Sequence, residues 1–404
     1  MRVAVVSPFV DRQHGTERAL AELLERLARD YRCEIHLFAQ RVQDLQVTRW
    51  DARNDARHSG KPEVIFWHVV PMTGGPLLFS FVAWCFLNHW SRWAFTFFRG
   101  GKFDVVLSPG INCLDANVVV VHAIFHRLRQ LSLEKSDADV SGAIGFRRLH
   151  RRAYYRLLAS LESRIYANPR VALAAVSQRT ATQLATYFKR RDVRVIPNGV
   201  EITEFSRGKR LADREAARNR RNLQQSAFVL LLIGNDWEVK GLGTLLRAMS
   251  LVRELPLQLI VVGSDAAAPF EELARALEVA DRCRWEKPGS KVLDFYAAAD
   301  TYVSPSREDS FGLPVAEAMA TGLPVITSSF AGVSTLIKDG VDGFVLDDPR
   351  DAQTLAKLLR LLSEQPALRE RIGSAAAETA LAWTWDRHAE AVWELLKSVT
   401  ATLT

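Results

Sequence analysis

Residues 306–325 read Ser306-Arg307-Glu308-Asp309-Ser310-Phe311-Gly312-Leu313-Pro314-Val315-Ala316-Glu317-Ala318-Met319-Ala320-Thr321-Gly322-Leu323-Pro324-Val325. A short apolar run, Thr301–Ser304, comes before them, and a helical pattern opens at about Leu313. Gly312 stands at the turn, where the absence of a Cβ lets backbone approach a ligand closely. A helix start offers unpaired N–H groups and a partial positive charge, which suits a diphosphate. Glu317 lies one turn inside, able to accept hydrogen bonds from ribose hydroxyls. Glu308, Asp309 and Ser310 occupy the preceding loop, where acidic groups can accept from sugar hydroxyls. Alone, Gly312 would be a cap and Glu317 a solvated helix position. The strand, loop and helix together favour a ligand site.

Outward from this stretch, short β-rich runs alternate with helical patterns along the whole chain. The first series of expected strands is 2–7, 33–39, 64–69, 104–108, 117–121, 171–176 and 193–196, with helices at 17–30 and 147–166. The second is 228–233, 257–262, 301–304 and 324–327, with helices near 241–253, 268–280 and 312–321. Continuous apolar strands separated by helices imply parallel sheets covered on both faces. Two series imply two doubly wound α/β domains. The turn Pro197-Asn198-Gly199 ends the first, and a charged, helix-prone stretch, Arg207 to Arg221, precedes the second. The expected division is 1–198, 199–382 and a terminal helix in 383–404. Further helical patterns fall at 351–363, 366–381 and 385–400.

The chain has 404 residues, 48% apolar and 25% charged, an ordinary globular balance with room for two or three cores. Its net charge of +7 is uneven: residues 1–200 hold 29 Lys and Arg against 17 Asp and Glu, and the remainder is acidic. A basic half suits an anionic membrane surface or a phosphorylated acceptor. Nucleic acid ranks well below, because no nucleic-acid-binding motif accompanies the arginines. The four cysteines match no metal or redox spacing and are expected as free thiols of a reducing cytoplasm. Val3 to Val6 reads as a buried strand and is too short for a signal peptide.

Residues 76–98, PLLFSFVAWCFLNHWSRWAFTFF, are long and aromatic with one firm charge, Arg92. Asn88, His89, Ser91 and Arg92 interrupt the middle, which argues against a transmembrane span. Two readings stand: a buried helix between strands, and a helix lying in the membrane interface, where Trp and Arg are at home. Both hold if one face packs and the other meets lipid. The run Phe188-Lys189-Arg190-Arg191 reads as a solvated basic patch. Asp137-Ala138-Asp139 has the form of a metal-holding pair, but it follows no β-run and reads as part of a polar loop, 134–142.

Four further pieces carry chemistry. Leu232-Ile233-Gly234-Asn235-Asp236-Trp237-Glu238-Val239-Lys240-Gly241 leaves a strand and enters a helix. Val195-Ile196-Pro197-Asn198-Gly199-Val200-Glu201 joins the two series. Pro8 to Arg18, with His14-Gly15-Thr16-Glu17-Arg18, follows the first strand, where parallel sheets bind ligands. Val118-Val119-Val120-Val121-His122-Ala123 ends another strand in a histidine, with His126 a weaker candidate one turn on. An isolated histidine is more often a satisfied core residue, but a strand's C-terminal end favours a site.

Together these pieces resemble retaining glycosyltransferase family 4, whose members have the GT-B fold. The Phe311-Gly312-Leu313-Pro314 and Glu317-Ala318-Met319-Ala320 segments are similar to its E-x7-E signature, with Asp309 where the first glutamate is expected and Glu308 one place early. Lys240-Gly241 resembles the family's phosphate-binding loop, with Asn235 about where an arginine is usual. His14-Gly15 resembles a glycine-rich loop that has two glycines. Trp383-Thr384-Trp385 resembles the start of a last helix that crosses back to the first domain.

The resemblance implies two Rossmann-like domains facing across a cleft, with an acceptor-side first domain and a nucleotide-sugar-binding second. Lys240 and the helix start at Leu313 would hold the diphosphate of a UDP- or GDP-linked sugar, and Glu317 the ribose. Asn235, Glu308, Asp309, Ser310, Phe311 and Gly312 would complete the donor site, and Gly15 and His122 would approach the sugar. It implies retention of configuration and no metal or other cofactor. With the basic half, it points to an envelope glycolipid, lipopolysaccharide or polysaccharide acceptor, met in the cytoplasm at the inner face of the membrane. The competing readings are a sugar-nucleotide epimerase of the same fold and a non-catalytic sugar-nucleotide-binding protein.

Overall fold

The structure is a computed structural model that describes residues 1–50, 64–99, 101–138, 145–289 and 291–403. The chain divides into two compact units, Met1–Pro197 with Trp385–Thr404, and Asn198–Thr384.

In the first unit the strands are β1 (Arg2–Val6), β2 (Phe9–Val10), β3 (Glu34–Ala39), β4 (Arg41–Val42), β5 (Thr48–Arg49), β6 (Ile65–Val69), β7 (Val105–Ser108), β8 (Val118–Val121), β9 (Ala172–Ala175) and β10 (Arg194–Val195). Eight of them form one sheet in the order β10-β9-β8-β7-β1-β3-β6-β5, and every pairing in it is parallel. Val3 to Val6 are fully buried, which is why β1 reads as an unbroken apolar run. Chain order runs outward one way from β1 to β3 and β6, then returns to β7 on its other side. The switch point therefore lies between β1 and β7, at the loops that follow them.

The second unit repeats the plan with β11 (Phe228–Ile233), β12 (Leu257–Val262), β13 (Cys283–Glu286), β14 (Thr301–Ser304), β15 (Val325–Ser328) and β16 (Phe344–Leu346). The order is β13-β12-β11-β14-β15-β16, again parallel throughout. Its switch point lies between β11 and β14. Leu230, Leu232, Leu259 and Val261 pack with Leu245, Leu246 and Met249 of the helix Leu242–Ser250 into one core.

The terminal helix Trp385–Leu403 belongs to the first unit. It packs along the helix Gly15–Arg29, where Arg26 donates to Asp386 at 2.6 Å. Trp385 is buried, and the His388 ring bonds the Pro197 carbonyl at 2.8 Å. All four cysteines are free, with Cys33 and Cys113 buried. Among the described residues no helix is long and apolar enough to cross a membrane.

Two local expectations change, and a third takes the mixed form allowed above. The helix Phe125–Ala138 carries Asp137 and Ala138 on helical backbone, not in a loop; Asp139 lies outside the described residues. Its start is fixed from outside the segment: the buried Glu162 carboxylate accepts the N–H groups of Phe125 and His126 at 2.6 and 2.9 Å. A cap from a distant residue leaves no local signal. Arg190 is not part of a solvated patch. It is buried, donates to the carbonyls of Tyr166, Asn168 and Val171, and pairs with Asp192. Lys189, left-handed at φ 60°, ends the helix Gln178–Phe188 and turns the next side chain inward. Finally, residues 76–98 form a helix, Leu77–Arg99, that is neither wholly buried nor wholly exposed. Two of its polar interruptions face inward: Arg92 pairs with Asp115 at 2.6 Å and Asn88 donates to the Trp84 carbonyl at 2.7 Å, while His89 is exposed.

Candidate active site at the switch points

In the second unit the loop after β11, 234–241, lies beside the loop after β14, 305–312. Three contacts clip them together. Lys240 Nζ donates to Asp309 Oδ2, with both side chains largely buried. Arg307 donates to Glu238 at 3.0 Å, and the Arg307 N–H to the Val239 carbonyl at 2.7 Å. Gly241 takes φ +80°, and a Cβ there would sit 2.0 Å from the Pro305 carbonyl oxygen. Only glycine allows this approach. Gly241→Ala is expected to lower the melting temperature of the second unit by about 5–10 °C, through left-handed strain and backbone collision. Thermal denaturation followed by calorimetry checks it.

The helix Leu313–Ala320 starts at this junction. Gly312 is its cap at φ +97°, no side chain caps it among the described residues, and Pro314 has no N–H to offer. The helix dipole thus ends beside the Lys240 ammonium. Phe311 and Leu313 are buried beneath the loop. Glu317 is 4% exposed and so does not sit on a solvated helix face. Its carboxylate accepts from the Tyr296 hydroxyl at 2.7 Å, and the same hydroxyl approaches the Pro314 carbonyl at 3.2 Å. Glu308 is buried, whereas Asp309 is held by Lys240 and by its own backbone, paired to Phe330 and Gly332. Asn235 accepts the Ser264 N–H at 2.9 Å through Oδ1, and Asp265 accepts the Trp237 N–H at 2.6 Å. Asn235 therefore shapes its loop through the loop after β12.

In the second unit Lys240, Asp309 and Gly312 meet; Glu308, Ser310, Phe311, Leu313 and Glu317 lie along the same loop and helix, and Asn235 on the loop after β11. Sequence reasoning missed Tyr296, Arg307 and Asp265. Tyr296 lies on the short helix Leu293–Ala298, and nothing in its local sequence marks it. Asp265 had a signal, as an acidic residue three positions after β12 at the same sheet edge.

In the first unit the loop after β1 is organised by Asp11. Its buried carboxylate accepts the N–H groups of Gln13 and His14 at 2.8 and 2.9 Å and meets His14 Nδ1 at 3.0 Å. His14 is the cap and Gly15 the first residue of the helix Gly15–Arg29. Arg12 pairs with Glu22 and Glu25 of that helix, which sets the path of the loop. His122 directly follows β8 and lines a small apolar cavity with Leu20, Leu23, Leu107, Pro109 and His388. Desolvation, reinforced by His388, pushes the His122 pKa down to about 3, so its ring is neutral near pH 7. His126 is tied to Glu162 at 2.8 Å.

Two doubly wound parallel units, each with loops gathered at its switch point, define the architecture. The chain shares the GT-B fold with WaaG, a glycosyltransferase involved in lipopolysaccharide biosynthesis (TM-score 0.74, 19% identity, 98% of this chain and 99% of that one). It also shares it with Anabaena Alr3699/HepE in complex with UDP-glucose (TM-score 0.70, 17% identity, 98% and 100%).

Residues 14–204 match the model for Glycosyltransferase Family 4, and residues 213–379 the model for Glycosyl transferases group 1. The chain belongs to glycosyltransferase family 4. It is 34% identical over 219 residues to the D-inositol 3-phosphate glycosyltransferase of Thermomonospora curvata, covering 50% of this chain and 51% of that protein. The chain spans about half the length of the curated relatives it matches.

Proposed function

We propose that this chain is a retaining glycosyltransferase that takes a sugar from a UDP- or GDP-linked donor and works without a metal. The observation that carries the reading is the junction of Lys240, Asp309 and the helix start at Gly312 at one switch point. A departing diphosphate carries developing negative charge. A fixed ammonium and an uncapped helix N-terminus stabilise such charge without reorganising. Glu317, oriented by Tyr296, suits the ribose hydroxyls.

The bond between the sugar C1 and the diphosphate oxygen breaks, and a bond from C1 to the acceptor oxygen forms on the same face. The acceptor proton passes to the leaving phosphate oxygen. Lys240 neutralises the leaving group, and Asp309 holds Lys240 in place. From the first unit we assign Gly15 and His122 to the sugar and acceptor; a neutral His122 can accept or donate one hydrogen bond without adding charge. The acceptor in this reading is a hydroxyl of an envelope glycolipid, lipopolysaccharide or polysaccharide, reached in the cytoplasm at the inner membrane face. The basic character of residues 1–200 supports that choice.

A thermal-shift screen of nucleotide sugars tests the donor, since a ligand bound only by the folded form raises the melting temperature. A UDP- or GDP-sugar is expected to stabilise the chain, and Glu317→Ala to weaken that donor by about tenfold or more, in line with losing charged hydrogen bonds. Product analysis then separates the alternatives. Transfer with retained configuration supports the proposal. Interconversion of the donor sugar would mean an epimerase, and binding without turnover on any acceptor a non-catalytic role.

A further inference from the structure

The helix Leu77–Arg99 has two opposite characters. One face carries Trp84, Asn88, Arg92 and Phe95, all buried against the first unit. The other exposes Phe79, Val82, Phe86, Trp90, Trp93 and Phe97, between 44% and 67% accessible. Their spacing of three and four residues aligns them in one stripe about 27 Å long. The rings are ordered along it: Trp90 and Trp93 lie 5.0 Å apart and Trp93 and Phe97 5.1 Å apart. An exposed apolar patch of this extent marks an interaction surface.

We infer that this stripe is a lipid-docking surface, seated in the interface of an anionic membrane. Charge and composition select that occupant. The helix contains no acidic residue, and residues 1–200 carry 29 Lys and Arg against 17 Asp and Glu. The neighbouring helix Gly145–Tyr166, joined to it by Phe81 against Tyr154, exposes Arg152 and Arg156. An aromatic face flanked by arginines matches the acyl–headgroup boundary and its negative potential. A second copy would bring the same positive excess, so repulsion opposes self-docking. Asn88 and Arg92 serve the packed face, and the exposed His89 pairs with Asp115 at 3.3 Å beside the stripe. The inference deepens the membrane-side acceptor reading and rests on it only for its biological purpose.

The test is co-sedimentation of the full chain with phosphatidylcholine vesicles, with and without phosphatidylglycerol, across a salt series. The wild type is expected to bind the anionic vesicles and to release as salt rises. The double variant Phe86→Ser/Trp90→Ser, altered only at exposed positions, is expected to bind about tenfold or more weakly with an unchanged melting temperature. Lys240→Ala is expected to bind as the wild type does, which separates failure of this inference from failure of the transferase reading. Equal binding by wild type and double variant, or no binding by either, would overturn it. So would a wild-type dimer that the double variant converts to monomer.

Discussion

Lys240→Ala is expected to lower kcat by about two to three orders of magnitude, a loss of about 3–4 kcal/mol of transition-state stabilisation. The ammonium is fixed before reaction by Asp309 and by the loop that Gly234 and Gly241 allow. Its charge meets the diphosphate most strongly when the sugar bond breaks, so kcat should fall more than KM rises. Structural damage is separable. A variant that keeps the wild-type melting temperature within a few degrees, and still turns over too slowly, has lost chemistry and not its fold. A drop in KM-dependent binding alone, with kcat retained, would reassign Lys240 to ground-state affinity.

Acid is expected to unfold the two units unequally. His68 and His122 have pKa values pushed down to about 3, and His388 to about 4, in each case first by burial. All three lie in the unit formed by Met1–Pro197 and Trp385–Thr404. An unfolded histidine titrates near 6.5, so the unfolded chain takes up protons that the folded unit refuses. The associated stability is fully present above about pH 6.5 and is lost as pH falls toward 3 to 4. Each histidine can account for losses on the order of 4 kcal/mol, and neighbours such as His122 and His388 are not additive. Glu34 and Asp115, held at about 2 with His36, Arg2 and Arg92 as partners, extend the loss to lower pH. Glu17 and Glu162, raised by burial, act in the opposite sense near pH 4.5 and above. Calorimetry from pH 7 to 4 should therefore show the transition of the first unit moving down well before that of the second. Parallel movement of both would contradict it.

Much of this architecture is written in short apolar runs. β1, β8, β11 and β12 are buried on both faces, so they stand out as runs rich in Val, Leu and Ile. β13, whose residues are all half-buried at a sheet edge, and β16, only three residues long, leave no such trace. The donor-side loops were legible because glycine is demanded by geometry at Gly241 and Gly312, both with positive φ. Contacts made across long sequence separations were not. Tyr296 on Glu317, Arg307 on Glu238, Glu162 on the helix at Phe125 and Arg190 beneath its own surface all depend on which elements the fold sets side by side. The aromatic helix shows the same division. Its composition announced two uses, and only the packing of Asn88 and Arg92 shows which face is which.

The central claim is that fixed positive groups at the second unit's switch point hold the donor diphosphate. Hydrogen–deuterium exchange of the full chain, with and without saturating UDP and separately GDP, tests it most directly. One of the two nucleotides is expected to slow exchange in peptides covering 234–241 and 305–317. Protection confined to other segments, or none from either nucleotide at concentrations that raise the melting temperature, would contradict it.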